Sequence, residues 1–260
     1  MFVNWDEVQR ALIPIKDYED LSQRLQGSFS YPFVRETFNV TMPELVEYTR
    51  LNVGGDPRGR YAEYTERLVG ILTKLQRTGL SDLLELVSRV ETREKLRSFA
   101  EQNGIAAHDI ATVLKYLVYW FIPGEKYLSG LIRPDLTLSA AIKALGSLGV
   151  RTNLQLLQRG ITPAGRRVLA EACGLPETVI TELVNWADFS RLPWSTKATI
   201  SNIIGAGYGS LAQLANADPE KLYADFFAYG ASIGKNLKLG NEIENSYRIA
   251  RIVPALVKIV

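Results

Sequence analysis

Few side chains in this 260-residue chain are equipped for chemistry. His108 is its one histidine and Cys173 its one cysteine, which excludes histidine-dependent triads and multi-histidine metal sites together. His108 stands in Ala106-Ala107-His108-Asp109 and reads as a surface residue near a helix start. Cys173 lies just before Gly174 in LAEACGL and reads as a small buried filler at a helix end, not a nucleophile, having no histidine to activate it. There is no Cys-x-x-Cys pair, zinc-protease helix, Walker loop or dinucleotide-type glycine pattern. Gly205-Ala206-Gly207-Tyr208-Gly209 is glycine-rich, but it follows a helix instead of a strand and reads as helix termination and a tight turn. The expectation is a non-catalytic protein with no metal and no cofactor. Paired carboxylates hidden among the 28 acids are the one enzymatic alternative, because they leave no local motif.

What remains is charge and where it sits. Arg166 and Arg167 open a helix behind Thr162-Pro163, and Lys197 follows Ser195 and Thr196. The segment Ser232-Ile233-Gly234-Lys235-Asn236-Leu237-Lys238 gathers a glycine, an amide and two cations without an acid, which makes it the most binding-like loop of the chain. Arg166, Arg167, Ser195, Thr196, Lys197, Lys235, Asn236 and Lys238 are therefore the candidate nucleic-acid contacts, weighed against the plainer reading of a solvated basic face. Residues 1–132 carry 16 Lys and Arg against 18 Asp and Glu, a balance of −2, and residues 133–260 carry 14 against 10, a balance of +4. The C-terminal half is the better seat for an anionic ligand, though the excess is mild for a nucleic-acid binder. Tyr116, Tyr119, Trp120 and Phe121 cluster in one helical stretch and read as core or as a contact between repeats.

The elements that position these residues recur. Residues 75–123 laid over 145–193 without a gap give twelve identities, among them Gly79/Gly149, Arg97/Arg167, Ala100/Ala170, Gly104/Gly174 and Pro123/Pro193. Phe99/Leu169, Ile105/Leu175 and Leu114/Val184 exchange one apolar residue for another. Glycines, proline and apolar phase are retained together, which marks an internal repeat. In each copy a helix ends at Gly79 or Gly149, where a residue without Cβ takes the left-handed conformation at little cost. Ser81 or Thr152 is the cap candidate for the next helix, and Thr92 and Thr162 cap the one after, with Pro163 at its first position. That helix stops at Gly104 or Gly174, and a further one runs from about Asp109 or Glu177 toward the proline. A shortened copy follows, with Asp218-Pro219 opening its second helix. Asn4 and Thr41 begin helices in the first 68 residues. No alternating strand pattern of useful length is present, and Ile132-Arg133-Pro134-Asp135 interrupts the helical pattern. The predicted architecture is all-α, a tandem of helix-hairpin-helix-like repeats. An N-terminal helical domain spans 1–132, with a diverged repeat at about 68–132, and a C-terminal domain spans 133–260. Stacking of the two copies would form the body of the protein.

From Ile142 onward the order of signatures carries a resemblance. Thr162-Pro163-Ala164-Gly165-Arg166, then Val184-Asn185-Trp186-Ala187-Asp188, then the run LAQLANADPEKL ending at Leu222 resemble a bacterial domain-of-unknown-function family, number 4332, over roughly residues 135–255. The resemblance implies an all-helical fold of tandem helix-hairpin-helix type and points toward DNA. In such a hairpin, backbone amides at a helix start contact a phosphate irrespective of base sequence. This chain departs from that pattern. Leu192-Pro193-Trp194-Ser195-Thr196-Lys197 lacks both hairpin glycines and sets Trp194 at the place of closest approach. In Ile122-Pro123-Gly124-Glu125, Glu125 would repel a phosphate.

A lone cysteine fits a reducing compartment. The N-terminal stretch does not read as a signal peptide, and no window is apolar enough for a transmembrane span, so a cytoplasmic protein without membrane attachment is expected. The residues after Ala250 read as a packed, strand-like tail. Taken together, the leading expectation is a helical binding or scaffold module for a protein partner or for a second copy of itself. The alternative is a sequence-independent DNA binder using the C-terminal half.

Overall fold

The computed structural model describes residues 3–56, 58–132, 135–193, 195–237 and 242–258, with the side chains of 242 and 243 left aside. The fold is all-helical: no strand forms among these residues, and extended pairing is confined to two isolated antiparallel bridges, Thr41 with Asp82 and Tyr127 with Thr152. None of the described helices is long and apolar enough to cross a membrane. The chain divides into two compact units, Met1–Gly124 and Glu125–Val260. Residues 125–132 thus group with the second unit, where the Lys126 amide donates to Asn153 Oδ1 at 2.7 Å. The sequence interruption at Arg133 and Pro134 lies outside the described residues.

The first unit contains α1 (Trp5–Leu12), α2 (Tyr18–Phe29), α3 (Pro32–Phe38), α4 (Met42–Asn52), α5 (Ala62–Gln76), α6 (Leu83–Arg89), α7 (Arg93–Asn103) and α8 (Ala107–Tyr116), which continues as a π turn over Leu117–Phe121. Its core is lined by Leu45, Leu68, Leu83, Leu96 and Ile110. Tyr116, Trp120 and Phe121 are buried with them; Tyr116 Oη meets Thr49 Oγ1 at 3.0 Å, and Asn52 donates to the Trp120 carbonyl at 2.8 Å. His108 is half-buried at the start of α8, with Nδ1 3.1 Å from Glu7 Oε2.

The second unit contains α9 (Leu128–Leu131), α10 (Leu136–Ser147), α11 (Asn153–Gly160), α12 (Pro163–Cys173), α13 (Glu177–Phe189), α14 (Lys197–Gly205), α15 (Leu211–Ala215), α16 (Pro219–Ser232) and α17 (Glu242–Ala250). Among the described residues beyond α17 no strand forms, and Lys258 N donates to the Ile161 carbonyl at 3.0 Å.

Residues seventy positions apart share local geometry. Thr92 and Thr162 each accept the amide three residues on, at 3.2 and 3.1 Å. Gly104 and Gly174 end α7 and α12 at φ 63° and 64°, the left-handed conformation that favours glycine. Leu86 and Leu156, Ile110 and Ile180, and Val113 and Leu183 are fully buried pairs. One cap expectation needs correction. Asp82, not Ser81, caps α6 by accepting the Glu85 amide at 2.9 Å, whereas Ser81 donates its own amide to the Glu85 carboxylate. Asp82 is the residue aligned with Thr152, which caps α11.

Candidate functional site

The turn between α11 and α12 shows why the basic residues of the second unit do not all face outward. Thr162 caps α12, Pro163 supplies a preset first position, and Gly165 lets the Arg159 carbonyl come close: a Cβ there would lie 2.0 Å from that oxygen. Arg166 follows on the buried side of α12, three and four residues before buried Leu169 and Ala170. Its Nη1 donates to the Gly160 and Ile161 carbonyls, each at 3.2 Å, the negative end of α11. Its Nη2 donates to the Lys258 carbonyl at 3.0 Å, and Nε has no partner. Arg166 is only 5% exposed, so it faces the protein and not a phosphate. Arg167, next to it, projects outward and lies 3.8 Å from Glu177.

A second buried arginine does similar work. Arg191 Nε donates to Asp188 Oδ1 at 2.7 Å and its Nη2 to the Pro254 carbonyl at 3.0 Å. Burial pushes the Asp188 carboxyl up from its ordinary range while the adjacent guanidinium pulls it back. Asn153 completes the polar interior. It holds the Lys126 amide and donates to Ser190 Oγ at 2.9 Å. Lys126 Nζ reaches the Ser190 carbonyl at 2.9 Å, and burial lowers its pKa. In the seventy-residue register Arg166, Asn153 and Arg191 stand opposite Leu96, Leu83 and Phe121, all buried in the first unit. The second unit thus carries hydrogen-bonding groups at positions filled by apolar side chains in the first. Those groups hold segments outside the shared helices: Lys126, Pro254 and Lys258.

The other sequence candidates lie on separate elements. Thr196 caps α14, accepting the Thr199 amide at 3.1 Å. Ser195 Oγ donates to the Ser190 carbonyl at 3.2 Å. Lys197 is half-buried at the first position of α14. Lys235 and Asn236 are exposed beyond α16, where the Lys235 amide closes the helix on the Gly230 carbonyl at 2.8 Å. Lys238 and Trp194 lie outside the described residues. The exposed cations Arg167 and Lys235 belong to α12 and the turn after α16, and the half-buried Lys197 to α14. Cys173 is half-buried, with its thiol raised by burial. The glycine-rich segment behaves as read: α14 ends at Gly205 and Gly207 turns at φ 100°.

Two surfaces of the second unit carry no sequence motif. On α16, Leu222, Phe226 and Gly230 face inward, while Ala224, Phe227, Ala228 and Ala231 are exposed at helical spacing, with Phe227 at 51%. The signal was present, since phenylalanines at 226 and 227 cannot both face one core. The second surface is a groove of about 550 Å³ along α13, lined by Glu177, Thr178, Thr181, Glu182 and Asn185 and by Ile204 and Gly209. Among the described residues, no group of three or more metal-binding side chains forms.

Residues 137–239, which run from α10 through α16, match a protein family described as "Domain of unknown function (DUF4332)". This segment is similar to that family. No curated protein and no solved structure matches the chain. The DUF4332-like segment contains the Arg166 and Arg191 clamps, the α13 groove and the α16 face; α17 and the residues the clamps hold lie beyond it.

Proposed function

We propose that this protein is a non-catalytic binding module built from two copies of one helix-hairpin-helix-like unit, and that it engages a protein partner or a second copy of itself. The duplication is supported by the shared caps, left-handed glycines and buried pairs seventy residues apart. The exposed face of α16 carries the binding reading: an aromatic ring surrounded by alanines, left open by a helix whose other side is fully packed. Exposed aromatic and small residues at helical spacing are what a partner's apolar surface covers. Sedimentation velocity over a hundredfold concentration range, for the wild-type chain and for Phe227→Asp, tests it. Self-association, or binding of an isolated partner, should be lost in the variant while the helical signal is retained. Full retention of both in Phe227→Asp would sink this reading.

A second reading keeps DNA. It is favoured by the exposed cations Arg167 and Lys235 and by Thr196 and Lys197 at the start of α14. Titration of a labelled duplex at several salt concentrations decides it. Phosphate contacts give an affinity that falls steeply with salt, and charge reversal at Arg167, Lys197 and Lys235 would abolish it. Arg166 is not part of this set, because its guanidinium is engaged inside the unit.

A further inference from the structure

Helix α16 (Pro219–Ser232) divides its surface three ways. Leu222, Phe226 and Gly230 face the core. The flanks are engaged within the unit: Asp225 takes the Lys221 ammonium at 2.6 Å and the Tyr208 hydroxyl at 2.8 Å, and Tyr229 lies against Gly205. The third strip is open. Glu220, Ala224, Phe227, Ala228 and Ala231 are all exposed, and at about 3.6 residues per turn they fall within an arc of roughly 100°. Lys235, also exposed, follows the far end of the helix. Among the described residues neither Glu220 nor Lys235 forms an ion pair. The strip is therefore apolar in the middle, with an acid at its start and a base beyond its end.

We infer that this strip is a two-fold contact between two copies of the chain, with their α16 helices antiparallel. The inference rests on the protein-binding reading above and names its partner. The exposed positions form matched pairs about the midpoint between Phe227 and Ala228. An antiparallel crossing there sets Phe227 over the partner's Ala228, Ala224 against the partner's Ala231 and Glu220 beside the partner's Lys235. A two-fold interface uses the same patch on both copies, so the patch must complement itself. This one does so in size and in charge: a ring meets a methyl group, a methyl meets a methyl, and a carboxylate meets an ammonium. The three alanines suit the short end of helix-packing distances. A parallel crossing would instead stack Phe227 on Phe227 and oppose Glu220 to Glu220. One helix pair is small beside the roughly 1,600 Å² of a standard stable interface, so the dimer is a weak one that forms with concentration.

Sedimentation of the full-length chain over a range of concentrations, with charge-swapped variants, tests the arrangement. Glu220→Lys and Lys235→Glu, both at exposed positions, each place like charges at two symmetry-related contacts. Either should weaken self-association about tenfold. The chain carrying both substitutions opposes unlike charges again and should return to wild-type affinity. Orientation is read by disulfide cross-linking in a Cys173→Ser background. A mixture of Ala224→Cys and Ala231→Cys chains should form linked pairs faster than either chain alone. Three results overturn the inference: a wild-type chain that stays monomeric at every concentration, a double variant no tighter than the single ones, and faster cross-linking of either cysteine chain with itself. Loss of partner binding in Phe227→Asp without rescue by the charge swap would leave α16 a binding face for a different partner or geometry. Failure of the two-fold contact and failure of the binding reading are therefore read separately.

Discussion

Arg166 donates to the main-chain carbonyl of Lys258 across 92 positions of sequence, so a residue in the first turn of α12 fastens the segment that follows α17. The same guanidinium closes the end of α11, and Lys258 returns a backbone bond to Ile161. Replacing Arg166 with alanine removes the side-chain donor of the Gly160 and Lys258 carbonyls, while Ile161 keeps the Lys258 amide, and should cost about 1–3 kcal/mol. Urea unfolding measures that loss, and hydrogen exchange should show the Lys258 amide losing protection. Arg167→Ala, 65% exposed at its side chain, should change stability by less than about 0.5 kcal/mol. Equal effects of the two substitutions would contradict the assignment of Arg166 to the interior.

Part of the acid response should reside in two helix-start carboxylates of the first unit. Glu44 accepts the Thr41 amide at 2.8 Å and Glu85 the Ser81 amide at 2.9 Å. Both carboxyls are held below their ordinary value of 4.5, chiefly by these backbone bonds. A carboxylate whose pKa is lowered by folding contributes stability that is fully present above its unfolded value and disappears as the pH falls through the folded one. In the second unit the residue aligned with Glu85 is Gln155, which caps Thr152 without a charge. Glu44→Gln and Glu85→Gln together should therefore flatten the stability curve below about pH 5. Thermal denaturation between neutrality and acid reads the effect; an unchanged slope would show that these bonds do not persist in solution.

Much of the helical framework was legible because it is local. Thr92, Thr162, Gly104 and Gly174 act within one turn of their own position, and the repeat makes each feature count twice. Ser81 was misread because Ser81 and Asp82 are both competent caps, and only the approach of the Glu85 carboxylate to Ser81 separates them. Arg166 was misread for a different reason. Cations are expected at surfaces, and its acceptor in Lys258 is remote in sequence. The aligned Leu96, fully buried, was the available clue that this position faces a core. The α13 groove had no sequence signature, because its lining joins one helix to residues beyond the next turn.

Glycines separate two physical costs. Gly104 and Gly174 have positive φ and nothing within 4 Å of an added Cβ, so alanine there meets only backbone strain, about 1–2 kcal/mol at each position. Near-equal losses at the two sites would support duplication of the module. Gly165 is the converse: its backbone is ordinary, but the Arg159 carbonyl occupies the space of the missing Cβ. Gly165→Ala must push α12 from the end of α11 and should exceed either of the other two substitutions in a thermal melt. Lys95 holds the aligned position in the first unit, so the close approach is a property of the second copy. A Gly165→Ala protein as stable as the wild type would remove that distinction.

Asp188 and Arg191 form an ion pair with side-chain exposures of 6% and 1%, and the two partners are not symmetrical in what they support. Arg191 also reaches Pro254, whereas the Asp188 carboxylate is bonded by Arg191. Asp188→Asn strands a buried guanidinium and should destabilise the second unit by roughly 3–5 kcal/mol. Removing both charges as Asp188→Leu with Arg191→Met relieves the desolvation of the pair and should recover much of that loss. It cannot restore the bond to Pro254. The double variant should therefore approach wild-type stability in urea while residues 252–258 exchange faster with solvent. If protection of that segment survives in the double variant, the arginine is not what fastens it.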